Sequence, residues 1–257
     1  MYTLKDNVLV VKDLTVKIQE KTILNNLSFE EKDIYLNNKE AGQVIAFLGK
    51  SGSGKSTLFR ALAGLIDYTG NIEVCKNGKL SEVEAGDVGY VDQKYTLLRH
   101  KTVWESCKMV LSNFISDDKI IQSKIHEILN EWDIYKCKDL YPKNLSGGQK
   151  QRLSIILQLL SSHKYLILDE PASGLDVKNV FKLKEYIKML SYSTDNNTII
   201  FSTHDIKLAV EMADKIYVLE EGNIIQSFDL KYLGLAWNDF SQEHIKLVNQ
   251  IEKLILL

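Results

Sequence analysis

The polar and apolar positions of this chain fall into three stretches of different period. In the first, Val8-Leu-Val-Val11 and Leu14-Thr-Val-Lys-Ile18 cluster or alternate as strands do, and Ile23 to Phe29 continues the pattern. Glu30 to Glu40 then turns polar, with Asn37-Asn38 inside it. It reads as a surface loop, with Glu30, Glu31, Lys32 and Asp33 as a solvated edge. Val44-Ile-Ala-Phe-Leu48 is a continuous apolar run of strand length and reads as a buried strand. Asn71–Val74 and Asp87–Val91 look like short strands beside glycine turns.

From about Thr102 to Leu160 the spacing becomes helical. Ser116-Asp-Asp is a plausible cap and acidic first turn, followed by a face of Ile121, Ile125, Ile128 and Trp132. Pro142 breaks the chain, and a further helix runs through Leu153, Ile156, Leu157 and Leu160. The block reads as a helical insertion. In the third stretch strands and helices alternate. Tyr165–Leu168, Thr198–Ser202 and Ile216–Leu219 are strands; Val180, Leu183, Ile187, Leu190 and then Ile206, Ala209, Val210, Ala213 are helix faces. Such alternation predicts a doubly wound, mainly parallel α/β sheet, with ligands at the carboxyl ends of its strands. At the end of the chain, Ile245, Val248, Ile251 and Ile255 predict a terminal helix with Asp239 as its cap. Packing on the parent domain is its simplest role, and a dimer or partner contact the sharper one.

Composition narrows the classes. Net charge is −2, so nothing attracts the chain globally to nucleic acid or anionic lipid. Cys75, Cys107 and Cys137 show neither metal spacing nor a disulfide framework, as in a reducing cytoplasm. No apolar run approaches the ~20 residues of a membrane span, and the N-terminus lacks signal-peptide character. Work at a membrane would therefore require a spanning partner.

The candidate chemistry starts at Gly49-Lys50-Ser51-Gly52-Ser53-Gly54-Lys55-Ser56-Thr57. It lies between the strand at Val44–Leu48 and a helix beginning near Leu58, the context in which G-x-x-x-x-G-K-[ST] cradles a polyphosphate. Glycines let backbone N–H groups wrap the phosphates at the open end of a helix dipole. Lys55 adds a mobile positive charge, and the Ser56 hydroxyl suits Mg²⁺. Tyr165-Leu-Ile-Leu-Asp169-Glu170 is a strand ending in two carboxylates, one able to hold a metal and one able to activate water. Leu145-Ser146-Gly147-Gly148-Gln149 opens a helix with two glycines, suited to close approach of an anion. Ser146 could equally be a simple N-cap. Gln93 and His204, read singly, are a surface glutamine and a turn histidine.

With Ser173-Gly-Leu-Asp176 and Ser202-Thr-His-Asp205, this ordered set resembles the ATP-binding subunit of an ABC (ATP-binding cassette) transporter, from about Val8 to Ile225. The resemblance implies a P-loop NTPase with a RecA-like, mainly parallel sheet, an N-terminal antiparallel β part and an inserted helical subdomain. One ABC ATPase domain would span 1–257: core 1–94 and 162–225, helical subdomain about 95–161, and tail helix 236–257. It also implies roles. Residues 49–57 bind the phosphates of ATP, Lys55 reaching the β- and γ-phosphates. Ser56, Gln93 and Asp169 serve Mg²⁺. Glu170 is the general base. Gln93 approaches the attacking water and links the site to the membrane partner. His204 reaches the γ-phosphate and positions Glu170 or the water. Asp176 sits at the dimer contact, and Ser146, Gly147, Gly148 and Gln149 complete the site of a second cassette in trans. The implied function is ATP hydrolysis powering transport, from the cytoplasmic face of a membrane. Partners would be a second copy or a related cassette, transmembrane permease subunits and, as a further candidate, a solute-binding protein; nucleic acid is not expected. A soluble ATPase of the iron–sulfur cluster assembly type is the alternative.

The chain departs from the family pattern in places. Ile18 stands where an adenine-stacking aromatic is usual and is the expected adenine-facing residue, covering the base without π-stacking, with Tyr35 as a candidate to reach in beside it. Ala172 replaces a common threonine.

Overall fold

The fold was analysed in a computed structural model, which describes residues 2–36, 39–94, 96–161, 164–191 and 197–256. The polar stretch after Phe29 is not the expected loop. It continues a long strand, β2 (Lys21–Leu36), that pairs antiparallel along the whole of β1 (Tyr2–Ile18). Asn37-Asn38 lies outside the described residues, and β3 (Lys39–Ala41) folds back on β2. The solvated-edge reading fails at Glu31. Its side chain is buried and held by Lys215 Nζ at 2.9 Å and by the Tyr217 hydroxyl, which donates at 2.5 Å. Strand spacing let Glu31 face inward while Glu30 and Lys32 face water. With β5 (Thr69–Lys76) and β6 (Lys79–Glu82) these strands form an antiparallel sheet of order β3-β2-β1-β5-β6.

The second sheet has the order β11-β10-β4-β9-β8-β7. Strands β4 (Gln43–Leu48), β7 (Val88–Val91), β8 (Tyr165–Leu168), β9 (Thr198–Thr203) and β10 (Lys215–Glu220) pair in parallel. Only the edge strand β11 (Asn223–Asp229) runs antiparallel. β4 shows why its sequence is apolar throughout. Val44, Ala46 and Leu48 face a core shared with the helices, whereas Ile45 and Phe47 face a second core shared with the antiparallel sheet. In that second core Phe47 stacks on Tyr217 with ring centroids 5.1 Å apart and meets Phe29 and Phe59 edge-on.

Helix α1 (Lys55–Leu62) follows β4 directly. The insertion holds α2 (Val103–Leu111), α3 (Asp118–Glu131) and α4 (Gly147–Leu160), with two 3-10 turns between α3 and α4. Asp117, within the expected acidic cap, accepts from the backbone N–H of Lys119 and Ile120. Trp132 ends α3 fully buried, stacked on Tyr186 of α5 (Val177–Ser191) with centroids 4.2 Å apart. α6 (Ile206–Met212) follows β9.

The tail helix α7 (Gln242–Leu256) packs on α6, and of its expected face Ile251 is buried while Val248 and Ile255 pack partly buried against the core. His244, Leu247 and Ile251 are buried, and Ile245 is exposed. Asp239 is not the cap. Ser241 donates its backbone N–H to His244 Nδ1 at 3.0 Å, and His244 Nε2 lies 3.0 Å from the Leu235 carbonyl. A buried histidine bonded at both nitrogens takes the place expected of Ile245, which a purely apolar pattern could not show at that position. No helix of the described residues is long and apolar enough to cross a membrane.

Candidate functional site at the carboxyl edge of the parallel sheet

β4, β8 and β9 are adjacent and parallel, so their carboxyl ends deliver three loops to one place. β4 delivers Gly49 to Thr57. Gly49 is required sterically: a Cβ there would lie 2.3 Å from the Leu219 carbonyl. Gly54, at φ +104°, caps α1 in a conformation closed to most side chains. No side chain caps the helix, so its first N–H groups have no intrahelical acceptor and are offered to an anion. Ser53 Oγ is buried without a hydrogen-bond partner, inside the same cradle.

Lys55 is only 6% exposed and curls back over the loop. Its Nζ donates to the carbonyls of Gly49 at 2.7 Å and Lys50 at 3.1 Å, and lies 3.8 Å from Glu170 Oε1. Burial pushes its ammonium below the ordinary value, while Glu170 and then Asp169 oppose that shift. The lysine is held by contacts that an incoming phosphate can replace.

β8 delivers Asp169 and Glu170, and β9 orients both. The fully buried Ser202 donates from Oγ to Asp169 Oδ1 at 2.6 Å and accepts from the Glu170 backbone N–H at 2.8 Å. Tyr90 donates to Asp169 Oδ2 at 3.3 Å; burial and then Asp169 push its phenol up, so it stays protonated as a donor. Glu170 sits at φ +49°, a strained backbone for a non-glycine residue. That turn aims its carboxylate toward the phosphate loop. His204, exposed at the end of β9, places Nδ1 3.0 Å from Glu170 Oε2. Lys55, Glu170 and His204 thus form one contiguous line of polar contacts.

Other expected residues lie elsewhere. Gln93 donates from Nε2 to Ser173 Oγ at 3.3 Å. Asp176 accepts from the backbone N–H and side-chain amide of Asn179, both at 2.9 Å, which caps α5. Ser146 and Gln149 form a reciprocal capping box at the start of α4. Gly147 is exposed with open space where a side chain would be. Ile18 is 52% exposed beside the β1–β2 turn. The side chain of Tyr35 lies outside the described residues.

Sequence reasoning assigned no role to Ser202, Tyr90 or Gln151. Gln151 is buried on α4 and donates its side-chain amide to the Pro171 carbonyl, tying that helix to the loop after Glu170. Its signal was available: it falls between Gly148 and Ile155 on the buried face, where a polar side chain needs a partner.

Of the residues expected to serve a metal, Ser56 lies in the first turn of α1 and Asp169 just after β8, while Gln93 is held by Ser173. Among the described residues no group of three or more His, Cys, Asp or Glu could hold an ion alone. This donor set fits Mg²⁺, which takes one or two protein oxygens and completes its shell with phosphates and water. It does not fit a nitrogen- or sulfur-ligated centre.

Fold and geometry together define a P-loop nucleotide-binding α/β protein. The chain belongs to the ABC transporter family, whose model matches residues 32–173. A shorter match, residues 137–211, is to a model described as AAA domain, putative AbiEii toxin, Type IV TA system. Sulfate/thiosulfate import ATP-binding protein CysA of Pseudomonas aeruginosa is 38% identical over 194 residues, covering 73% of this chain and 58% of that protein. The Escherichia coli K12 protein of the same name is 36% identical over 193 residues, covering 73% and 53%. The chain therefore spans little more than half the length of these relatives. Among solved structures, cbiO1 from Clostridium perfringens, part of the ABC transporter complex cbiONQ, aligns with a TM-score of 0.75 at 26% identity over 98% of this chain and 100% of its own. An ATP-binding subunit of an ABC transporter shares the fold with a TM-score of 0.73 at 22% identity, over 94% and 99%.

Proposed function

We propose that this chain is the ATP-hydrolysing subunit that powers a membrane-embedded ABC transporter partner, one ABC ATPase domain acting in a head-to-tail dimer. The observation that carries the reading is the convergence of Lys55, Glu170 and His204 at one strand edge, with contacts of 3.8 and 3.0 Å. Residues 49–57 bind the phosphates of ATP, with Lys55 exchanging its carbonyl contacts for the β- and γ-oxygens. Ser56, Gln93 and Asp169 would hold Mg²⁺. Bound there, the metal supplies charge neutralisation for the leaving and transferred phosphoryl oxygens. Glu170 takes the proton of the attacking water, and His204 holds Glu170 and the γ-phosphate in register. Lys55 and the α1 dipole stabilise charge that grows in the transition state.

The exposed Ser146-Gly147 end of α4 is free to meet a second chain, and Asp176 lies on the same approach. A symmetric pair then completes two sites. The partners proposed are a second copy or a related cassette, transmembrane permease subunits and a solute-binding protein, with the chain peripheral on the cytoplasmic face. The curated relatives reported above are named as import proteins, which favours transport over iron–sulfur cluster assembly.

Glu170→Gln tests the reading. Turnover should fall by about 10²–10⁴-fold, while ATP binding and ATP-dependent dimers persist in gel filtration. Undiminished turnover refutes the base assignment, and an unaltered chain that neither binds nor hydrolyses ATP refutes the function.

A further inference from the structure

An open cavity of about 590 Å³ lies against the first half of the phosphate loop. Lys50 to Ser53 form one wall, the β1–β2 hairpin gives Lys21 to Ile23, and the β10–β11 turn gives Glu220 to Gly222. Val218 and Leu219 of β10, with Ile225 and Ile255, complete the lining. Ile255 comes from the last turn of α7, one helical turn beyond the buried Ile251, so the face that packs the tail on the body continues into this cavity. Ile18 is not part of the wall.

We infer that this cavity takes the base and ribose of the bound nucleotide, and that Ile255 of the C-terminal helix is a binding residue for the base. The inference rests on the ATP reading above and extends it. Three isoleucines from three separate elements, Ile23, Ile225 and Ile255, supply apolar surface for a planar base without an aromatic. Glu220 and Glu221 are acceptors for ribose hydroxyls or an exocyclic amine. Lys50 and Lys21 line the same cavity. The lining sets these isoleucines beside two lysines, two glutamates and the hydroxyls of Thr22, Ser51 and Ser53, the apolar and polar surface that a base joined to a ribose can use. The cavity shares Lys50 to Ser53 with the phosphate loop, so one ligand can occupy both.

The test is calorimetric titration of the full chain with ATP and, separately, with inorganic tripolyphosphate, which lacks the base. Ile255→Ala should weaken ATP by about fivefold, as expected for one lost apolar contact, and leave tripolyphosphate unchanged. Ile255→Met, which keeps the volume, should restore ATP affinity. Circular dichroism and thermal unfolding of both variants check that α7 remains folded. ATP affinity unchanged in Ile255→Ala overturns the inference. So does an equal loss for ATP and tripolyphosphate, or a loss in Ile18→Ala with none in Ile255→Ala. An unaltered chain that binds neither probe refutes the ATP reading itself, a separate outcome.

Discussion

Ser202→Ala is the most informative single substitution in the site. The Ser202 hydroxyl donates to Asp169 Oδ1 at 2.6 Å and accepts from the Glu170 N–H at 2.8 Å, with no exposed surface. Removing it leaves a buried carboxylate oxygen without its shortest donor and a backbone N–H without its acceptor. Each loss costs about 1–3 kcal/mol, the charge-assisted one toward the upper end. The alanine leaves a gap too small for a bridging water. Together the expected destabilisation is about 2–5 kcal/mol, read as a lower urea midpoint with an unchanged m-value. The double variant with Asp169→Asn should show coupling of about 1–3 kcal/mol. Catalysis should suffer as well, because the strained backbone of Glu170 loses the contact that holds it at φ +49°. A drop in turnover of about tenfold or more follows from misplacing a catalytic group by a fraction of an ångström. ATP affinity should stay within about twofold, since Lys55 is held by Gly49 and Lys50 and not by Ser202. A stability loss below about 0.5 kcal/mol, or affinity falling in step with turnover, would refute this account.

Two further substitutions probe the fold around the site. Burial raises the Glu31 carboxyl above its ordinary value of 4.5, against the opposing pull of Lys215 and Tyr217. The native state therefore binds more protons there than the unfolded state, and this group's contribution to stability falls as pH rises from about 4.5 through the raised value. Glu31→Gln should flatten that part of the stability–pH profile in urea unfolding between pH 4.5 and 7; an unchanged slope would show that Glu31 titrates normally. Trp132→Ala removes the fully buried indole stacked on Tyr186. It should cost about 3–5 kcal/mol in thermal or denaturant unfolding, and a loss below about 1 kcal/mol would mean the helical insertion is not anchored to α5 through this pair.

The loops that carry the chemistry were legible because each is defined by local rules. Gly49 and Gly54 are demanded by a close carbonyl and a positive φ, and Lys55 follows them at a fixed interval. The apolar run of β4 announced a strand buried on both faces, and alternation of strands and helices announced the parallel sheet. Ser202 and Tyr90 were illegible in role. They meet Asp169 across 33 and 79 residues of sequence, and a hydroxyl in a strand looks the same whether it faces a carboxylate or a methyl group. The polar stretch at Glu30–Leu36 misled for a related reason. Its charges read as solvent-facing, but Glu31 is buried against Lys215 and the Tyr217 hydroxyl, which donates to it, on a strand far along the chain.

By itself the sequence determined what is short-range: the phosphate cradle, the alternation of strands and helices in the parallel sheet, the cap of α3 and the residue types able to hold phosphate and activate water. These follow from backbone sterics and periodicity, which act over a few residues. Only the tertiary structure decided which carboxylate meets which donor, that Gln151 ties α4 to the loop after Glu170, and that His244 and not Ile245 is buried on α7. It also brought Ile255, the last of these to be placed, to the edge of a loop some two hundred positions earlier. Those outcomes depend on burial and on pairing of polar groups across the core, where a partner is chosen by the fold and not by its distance along the chain.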